Sequence, residues 1–134
     1  MIAVDTSVVV AAFASWHERH GPARDVISSR PRLPWPAALE AYAVLTRLRP
    51  PHRAPATVVR DFLEAAFDVP YMTIATARLG EVIPDLVARG VSGGASYDAV
   101  IALTAREAGA TLVTCDRRAR LTYERLGVPT EFLG

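Results

Sequence analysis

The chain has 134 residues, 51% hydrophobic and 22% charged, with a mean hydropathy of +0.19. That length suits one domain with a real core, and the composition excludes a disordered chain. A net charge of +1 excludes a histone-like polycation, so any contact with nucleic acid must come from a local patch.

Ile2, Ala3 and Val4 predict a short buried strand that ends at Asp5, and Thr6 or Ser7 is placed to cap a helix running to about residue 15. A second helix is expected over 22–29. Leu33-Pro34-Trp35 is a poor strand because Pro34 removes a ladder donor, yet a very short strand fits there. Pro36 suits the first position of a third helix, which ends before Pro50-Pro51. A fourth helix is expected over 57–67, then a strand over 71–74. Leu79, Val82, Ile83, Leu86 and Val87 have helical spacing, and Pro84 predicts a kink or break among them. After a loop over 90–94, in which Ser92-Gly93-Gly94 has neither the lysine nor the spacing of a phosphate loop, Ser96 is expected to cap a central helix over 97–108. The run over 111–115 is the clearest strand. A last helix over 117–126 closes at Gly127, with Pro129 beyond, and Thr130-Glu131-Phe132 can form an edge strand. Strands alternating with helices predict an α/β fold: a doubly wound parallel sheet with helices on both faces, in one domain over 1–134.

Four acids stand where strands end or helices begin: Asp5, Glu40, Asp98 and Asp116. Those places share one edge of a parallel sheet, where ligands bind at the switch in strand order. Each acid has a plainer reading. Asp5 suits a turn, Asp98 a helix N-terminus, Asp116 a helix cap and Glu40 a solvated helix face. Their joint placement points instead to one cluster. Crowded carboxylates repel one another without a cation, and a hard divalent ion such as Mg²⁺ takes oxygen ligands. Such an ion generates a nucleophilic water and stabilises a leaving phosphodiester oxygen with no need of histidine.

Asp5-Thr6-Ser7 after the first strand, Glu40 in the third helix, Tyr97-Asp98-Ala99 opening a buried helix and Thr114-Cys115-Asp116 after a strand resemble PIN-domain ribonucleases. Length, order and spacing resemble the stand-alone VapC-type toxins of bacterial toxin–antitoxin pairs over nearly the whole chain. The resemblance implies a PIN-like three-layer sheet of about five strands, Mg²⁺ or Mn²⁺, and RNA cleavage. It also implies a cognate VapB-type antitoxin and a homodimer. Asp5, Glu40, Asp98 and Asp116 become catalytic positions, with Asp5, Asp98 and Asp116 on the metal. Thr6 or Thr114 would support a carboxylate or water through its hydroxyl. Some members carry a further polar residue two places after the last acid; Arg118 stands there and cannot ligate a cation, which leaves one metal or two open.

Arg117, Arg118 and Arg120 follow Asp116 and suit either phosphate contact or solvated surface. His17, His20 and His52 read as surface residues. Trp16 with Phe13 could mark an apolar patch for a partner. Cys115 is the only cysteine, which excludes an internal disulfide and a cysteine-based zinc site and suits a reducing cytosol. The apolar run over 8–14 is far too short to span a bilayer and no targeting segment is visible, so a cytoplasmic chain is expected. Two other readings remain: a Mg²⁺-dependent phosphatase or receiver domain, and a catalytically silent PIN-like binding partner. The phosphatase would want an aspartate where Ser7 stands, and the receiver a lysine that the chain lacks.

Overall fold

A computed structural model describes residues 1–134. Three regular parallel strands, β1 (Ile2–Val4), β2 (Thr111–Thr114) and β3 (Thr130–Phe132), pair in the order β1-β2-β3. Two further extended segments continue the sheet beyond β1 through single bridges, Ala3 to Arg32 and Pro34 to Met72, both parallel. Where about five strands were expected, the sheet has three, and the other two segments are reduced to single bridges. The reason is local: Pro31, Pro34, Pro36 and Pro70 lack the amide that a longer ladder would use. What ladder remains is made by the amides available, with Arg32 donating to Ile2, Val4 to Arg32, Met72 to Leu33 and Trp35 to Met72. The strand expected over 71–74 shrinks to the bridge at Met72.

The helices are α1 (Thr6–Phe13), α2 (His20–Ser28), α3 (Trp35–Arg47), α4 (Ala56–Ala66), α5 (Val82–Ala88), α6 (Ala95–Glu107) and α7 (Arg120–Leu126). From β1 the chain steps outward through the two bridged segments, then returns past β1 to β2 and β3. Right-handed crossovers then place α1 to α4 on one face and α5 to α7 on the other. The packing agrees: α1 lies on α2 and α3, and α3 on α4, while α6 lies on α5 and α7. The strand order reverses between β1 and β2, so their carboxyl ends form the crevice where such sheets bind ligands.

Three local expectations are corrected. Asp5 itself, not Thr6 or Ser7, is the N-cap of α1, its side chain accepting from the Val8 amide. Gly94, not Ser96, precedes α6, and Ser96 lies within the first turn. The stretch around Pro84 resolves as a 3₁₀ helix over Thr76–Glu81 that passes into α5, with Pro84 in the first turn where its missing amide has no helical partner to lose. Gly127 closes α7 at φ 70°, the left-handed conformation glycine adopts without strain.

An apolar core of 32 buried residues joins both faces of the sheet. In α6 the buried residues Ala99, Ile101, Ala102, Leu103, Thr104 and Ala105 wrap most of the helix, as expected for a central element. No helix is long and apolar enough to cross a membrane.

Candidate active site

Asp5, Glu40, Asp98 and Asp116 line one cleft of about 590 Å³ above the ends of β1 and β2. Asp5 arrives at the end of β1, and Asp116 just past β2, where it caps a 3₁₀ turn by accepting from the Arg118 amide at 2.9 Å. Glu40 comes from the first half of α3 and Asp98 from the first turn of α6, two helices that touch. The four elements expected to converge do converge.

Asp5 is held most firmly. It is 2% exposed, and both carboxylate oxygens are engaged. Oδ1 accepts from the Ser7 hydroxyl at 2.5 Å and the Val8 amide at 3.3 Å, and Oδ2 accepts from the Tyr123 hydroxyl at 2.7 Å. Burial pushes the Asp5 carboxyl above its usual range, opposed by the Ser7 hydroxyl, the polar Thr114 side chain nearby, the Tyr123 hydroxyl and the Val8 amide.

Ser7 has one hydroxyl proton, and it goes to Asp5. The 3.2 Å contact between Ser7 and Thr114 therefore has Thr114 as donor. Ser7 Oγ also accepts from the Cys115 amide at 2.8 Å, and Thr114 Oγ1 accepts from the Asp116 amide at 2.9 Å. A directed chain thus runs from the Asp116 amide through Thr114 and Ser7 to Asp5. Of the hydroxyls expected to support the site, Thr114 stands in this chain. The Thr6 hydroxyl does not: it is buried and has no hydrogen-bond partner, although Thr6 lines the cleft.

Asp98 registers the crowding. Its carboxyl is pushed up to about 6, first by partial burial and then by the charges of Glu40, Asp116 and Asp5. Burial likewise pushes the Cys115 thiol up to about 11, which keeps it protonated at neutral pH and unsuited to ligation or attack.

Arg117 and Arg118 line the cleft, and the Arg118 side chain is almost wholly exposed, with Nε 3.7 Å from Asp116. Arg120 is directed elsewhere: it pairs with Glu124 at 3.0 Å and stands over the Phe132 ring at 5.8 Å. The loop between α1 and α2 adds His17, Glu18 and Arg19 to the lining. His20 and His52 are outside it; His20 contacts the Ala11 carbonyl and His52 packs on Trp16.

Sequence reasoning passed over Ser7 as anything but a helix cap, Tyr123 as a buried partner of Asp5, and His17 and Arg19 as cleft residues. Tyr123 carried a usable signal: it stands three residues before Leu126 on a short helix, and a buried tyrosine hydroxyl needs a partner. Nothing in the polar loop around His17 and Arg19 announced its position.

The donor set suits a hard divalent ion in chemistry: carboxylate oxygens from four elements, one of them driven towards protonation by partial burial and by the charges of the others. It is not a finished cage. No three of the His, Cys, Asp and Glu side chains stand in position to hold an ion by themselves. An ion of the Mg²⁺ kind keeps several waters and shares its sphere with substrate phosphate, so a ring of carboxylates around an open cleft is a fitting host.

Fold and cleft together define a PIN-type α/β domain, and residues 2–125 match the PIN-domain family. The chain belongs to that family, and its relatives place it among the VapC-type members. It is 44% identical over 133 residues to Ribonuclease VapC40 of Mycobacterium tuberculosis, covering 99% of each. It is 38% identical over 130 residues to Ribonuclease VapC27 of the same organism, covering 95% of this chain and 93% of that one. The crystal structure of VapBC2 from Rickettsia felis, bound to a DNA fragment from their promoter, shares the fold with a TM-score of 0.69 at 17% identity, over 100% of both chains.

Proposed function

We propose that this chain is a divalent-metal-dependent endoribonuclease, the toxin of a toxin–antitoxin pair. The observation that carries the reading is the meeting of Asp5, Glu40, Asp98 and Asp116 on one cleft, in a chain 44% identical to Ribonuclease VapC40. Family membership takes the place of the phosphatase and receiver alternatives.

Asp5, Asp98 and Asp116 hold the cation, directly or through water, and Mg²⁺ or Mn²⁺ suits them. When bound, such an ion supplies an activated water and neutralises charge on the phosphodiester. Glu40 completes the cluster and orients the attacking water. Asp5, locked by its three donors, gives the cleft a fixed reference point. Arg117 and Arg118 at the rim meet substrate phosphates. Water attacks in line and the ribose 2′-hydroxyl takes no part, so the products carry 5′-phosphate and 3′-hydroxyl ends.

The antitoxin and a second copy of the chain both need exposed apolar surface. The outer side of α3 offers it: Trp35, Leu39 and Tyr42 are exposed beside a groove of about 390 Å³ that Leu63 and Tyr71 also line. RNA cleavage in Mg²⁺ or Mn²⁺ tests the nuclease reading, with EDTA and Asp5→Asn as controls. Cleavage that survives both overturns it. Co-purification with the product of an adjacent short reading frame, with cleavage suppressed in the complex, tests the pairing.

A further inference from the structure

Asp5 has four strong acceptor positions, two on each oxygen, as any carboxylate has. Three are filled from within the chain. Ser7 Oγ and the Val8 amide occupy Oδ1, and Tyr123 Oη occupies one side of Oδ2. One position remains, on Oδ2, and Asp5 lines the cleft.

The Tyr123 contact is unlike the other two. Ser7 and Val8 are neighbours of Asp5 in sequence and belong to the turn that starts α1. Tyr123 lies 118 residues away on α7, is 1% exposed, and reaches Oδ2 at 2.7 Å from the far face of the sheet. Its ring fills the core beside Leu126, which a phenylalanine ring could equally do. Only the hydroxyl has a further task.

We propose that Tyr123 is a positioning residue for Asp5: by filling one side of Oδ2 it leaves the carboxylate a single free acceptor position and sets the direction in which that position meets a cation in the cleft. This rests on the metal-dependent reading above. Asp5 is then a one-oxygen ligand, and Tyr123 decides which oxygen. Two effects of removing the hydroxyl oppose each other. Oδ2 gains negative charge, which strengthens its pull on a cation. It also loses the anchor that aims it, and an unpartnered carboxylate oxygen is left against an apolar ring. Outer partners of metal-binding carboxylates and imidazoles are typically worth about 10–100-fold in metal affinity, so loss of aim outweighs gain of charge.

The test is Mn²⁺ titration by calorimetry on three full-length proteins: wild type, Tyr123→Phe and Leu126→Ala. Thermal unfolding in EDTA is recorded beside it. Leu126 is fully buried on the same helix and does not line the cleft, so its truncation reports what loosening α7 does to binding. The expected result is Mn²⁺ affinity lowered about tenfold or more in Tyr123→Phe and changed less than twofold in Leu126→Ala, although the second variant is the less stable. Should Tyr123→Phe fail to fold, Tyr123→Leu is read against the same threshold. Affinity lowered less than fivefold by loss of the hydroxyl overturns the assignment, as does an equal loss in Leu126→Ala. A wild type that takes up no Mn²⁺ overturns the metal reading itself, and the role of Tyr123 falls with it.

Discussion

The Ser7 hydroxyl stands 3.2 Å from that of Thr114, joining the ends of β1 and β2 across 107 positions of chain. With the proton of Ser7 committed to Asp5, this contact closes the sheet at its switch point and links Asp5 to the backbone of Asp116. Ser7→Ala removes a donor from Asp5 and an acceptor from both Thr114 and the Cys115 amide. The expected loss is about 1–3 kcal/mol in urea unfolding, because partly buried groups are left unpaired. Thr6→Val is the contrast: its hydroxyl has no partner, so the apo-protein should keep or gain stability.

Asp98 gives the metal-free protein a pH dependence of defined sign. Its carboxyl rises from 3.8 to about 6 on folding, so the folded state binds the proton more tightly. The stability linked to this proton is fully present below pH 3.8 and is lost as pH rises through about 6. Asp98→Asn should therefore stabilise the protein in EDTA at neutral pH and have little effect at pH 4. Discounted for a half-exposed group, the gain is about 1 kcal/mol. Differential scanning calorimetry at the two pH values checks it. Mn²⁺ affinity in the wild type should fall as pH drops below 6, since proton and cation compete for the same oxygens.

Asp85 provides a structural ion pair remote from the cleft. Arg106 Nη2 lies 2.9 Å from it and Arg89 Nε 3.2 Å, and Arg106 also donates to the Leu126 carbonyl at 2.7 Å. Arg106 holds the Asp85 carboxyl below its usual range, so this contribution is present above the unfolded pKa and lost as pH falls through the lower folded one. Asp85→Asn should cost about 1 kcal/mol at neutral pH, allowing for solvent screening, and leave RNA cleavage per folded molecule unchanged.

Arg118 is free to reach a substrate. Its side chain is 96% exposed and its one carboxylate contact is long. Arg118→Ala should raise KM several-fold with little change in kcat, and should lower the slope of log affinity against log salt by roughly 0.7, the value for one phosphate contact on a single strand. Arg120→Ala, directed at Glu124 instead, should leave that slope unchanged.

The acids and the parallel architecture were legible in the sequence because each follows from a short local rule: apolar runs ending at Asp5 and just before Asp116, and helical spacing starting near Glu40 and Asp98. The lengths of the outer strands were less so, since a proline such as Pro34 permits a bridge without saying how many pairs surround it. Helix starts slipped by a residue or two because Thr6, Ser7 and Asp5 are all competent caps, and only the tertiary bonds of Ser7 decide which one is free to act. The His17 and Arg19 placements were hidden for a different reason. Each depends on where a whole helix or loop docks, and no pattern within the segment reports that.

The cleft draws on residues from position 5 to position 118, and its deepest carboxylate is braced from position 123. A ribosome that has not yet released α6 has delivered Asp5 and Glu40 but neither Asp98 nor Asp116. Synthesis interrupted there yields a fragment with no cutting centre, so the hazard such an enzyme poses to its host's transcripts begins only after Asp98, Asp116 and the brace at Tyr123 have all emerged.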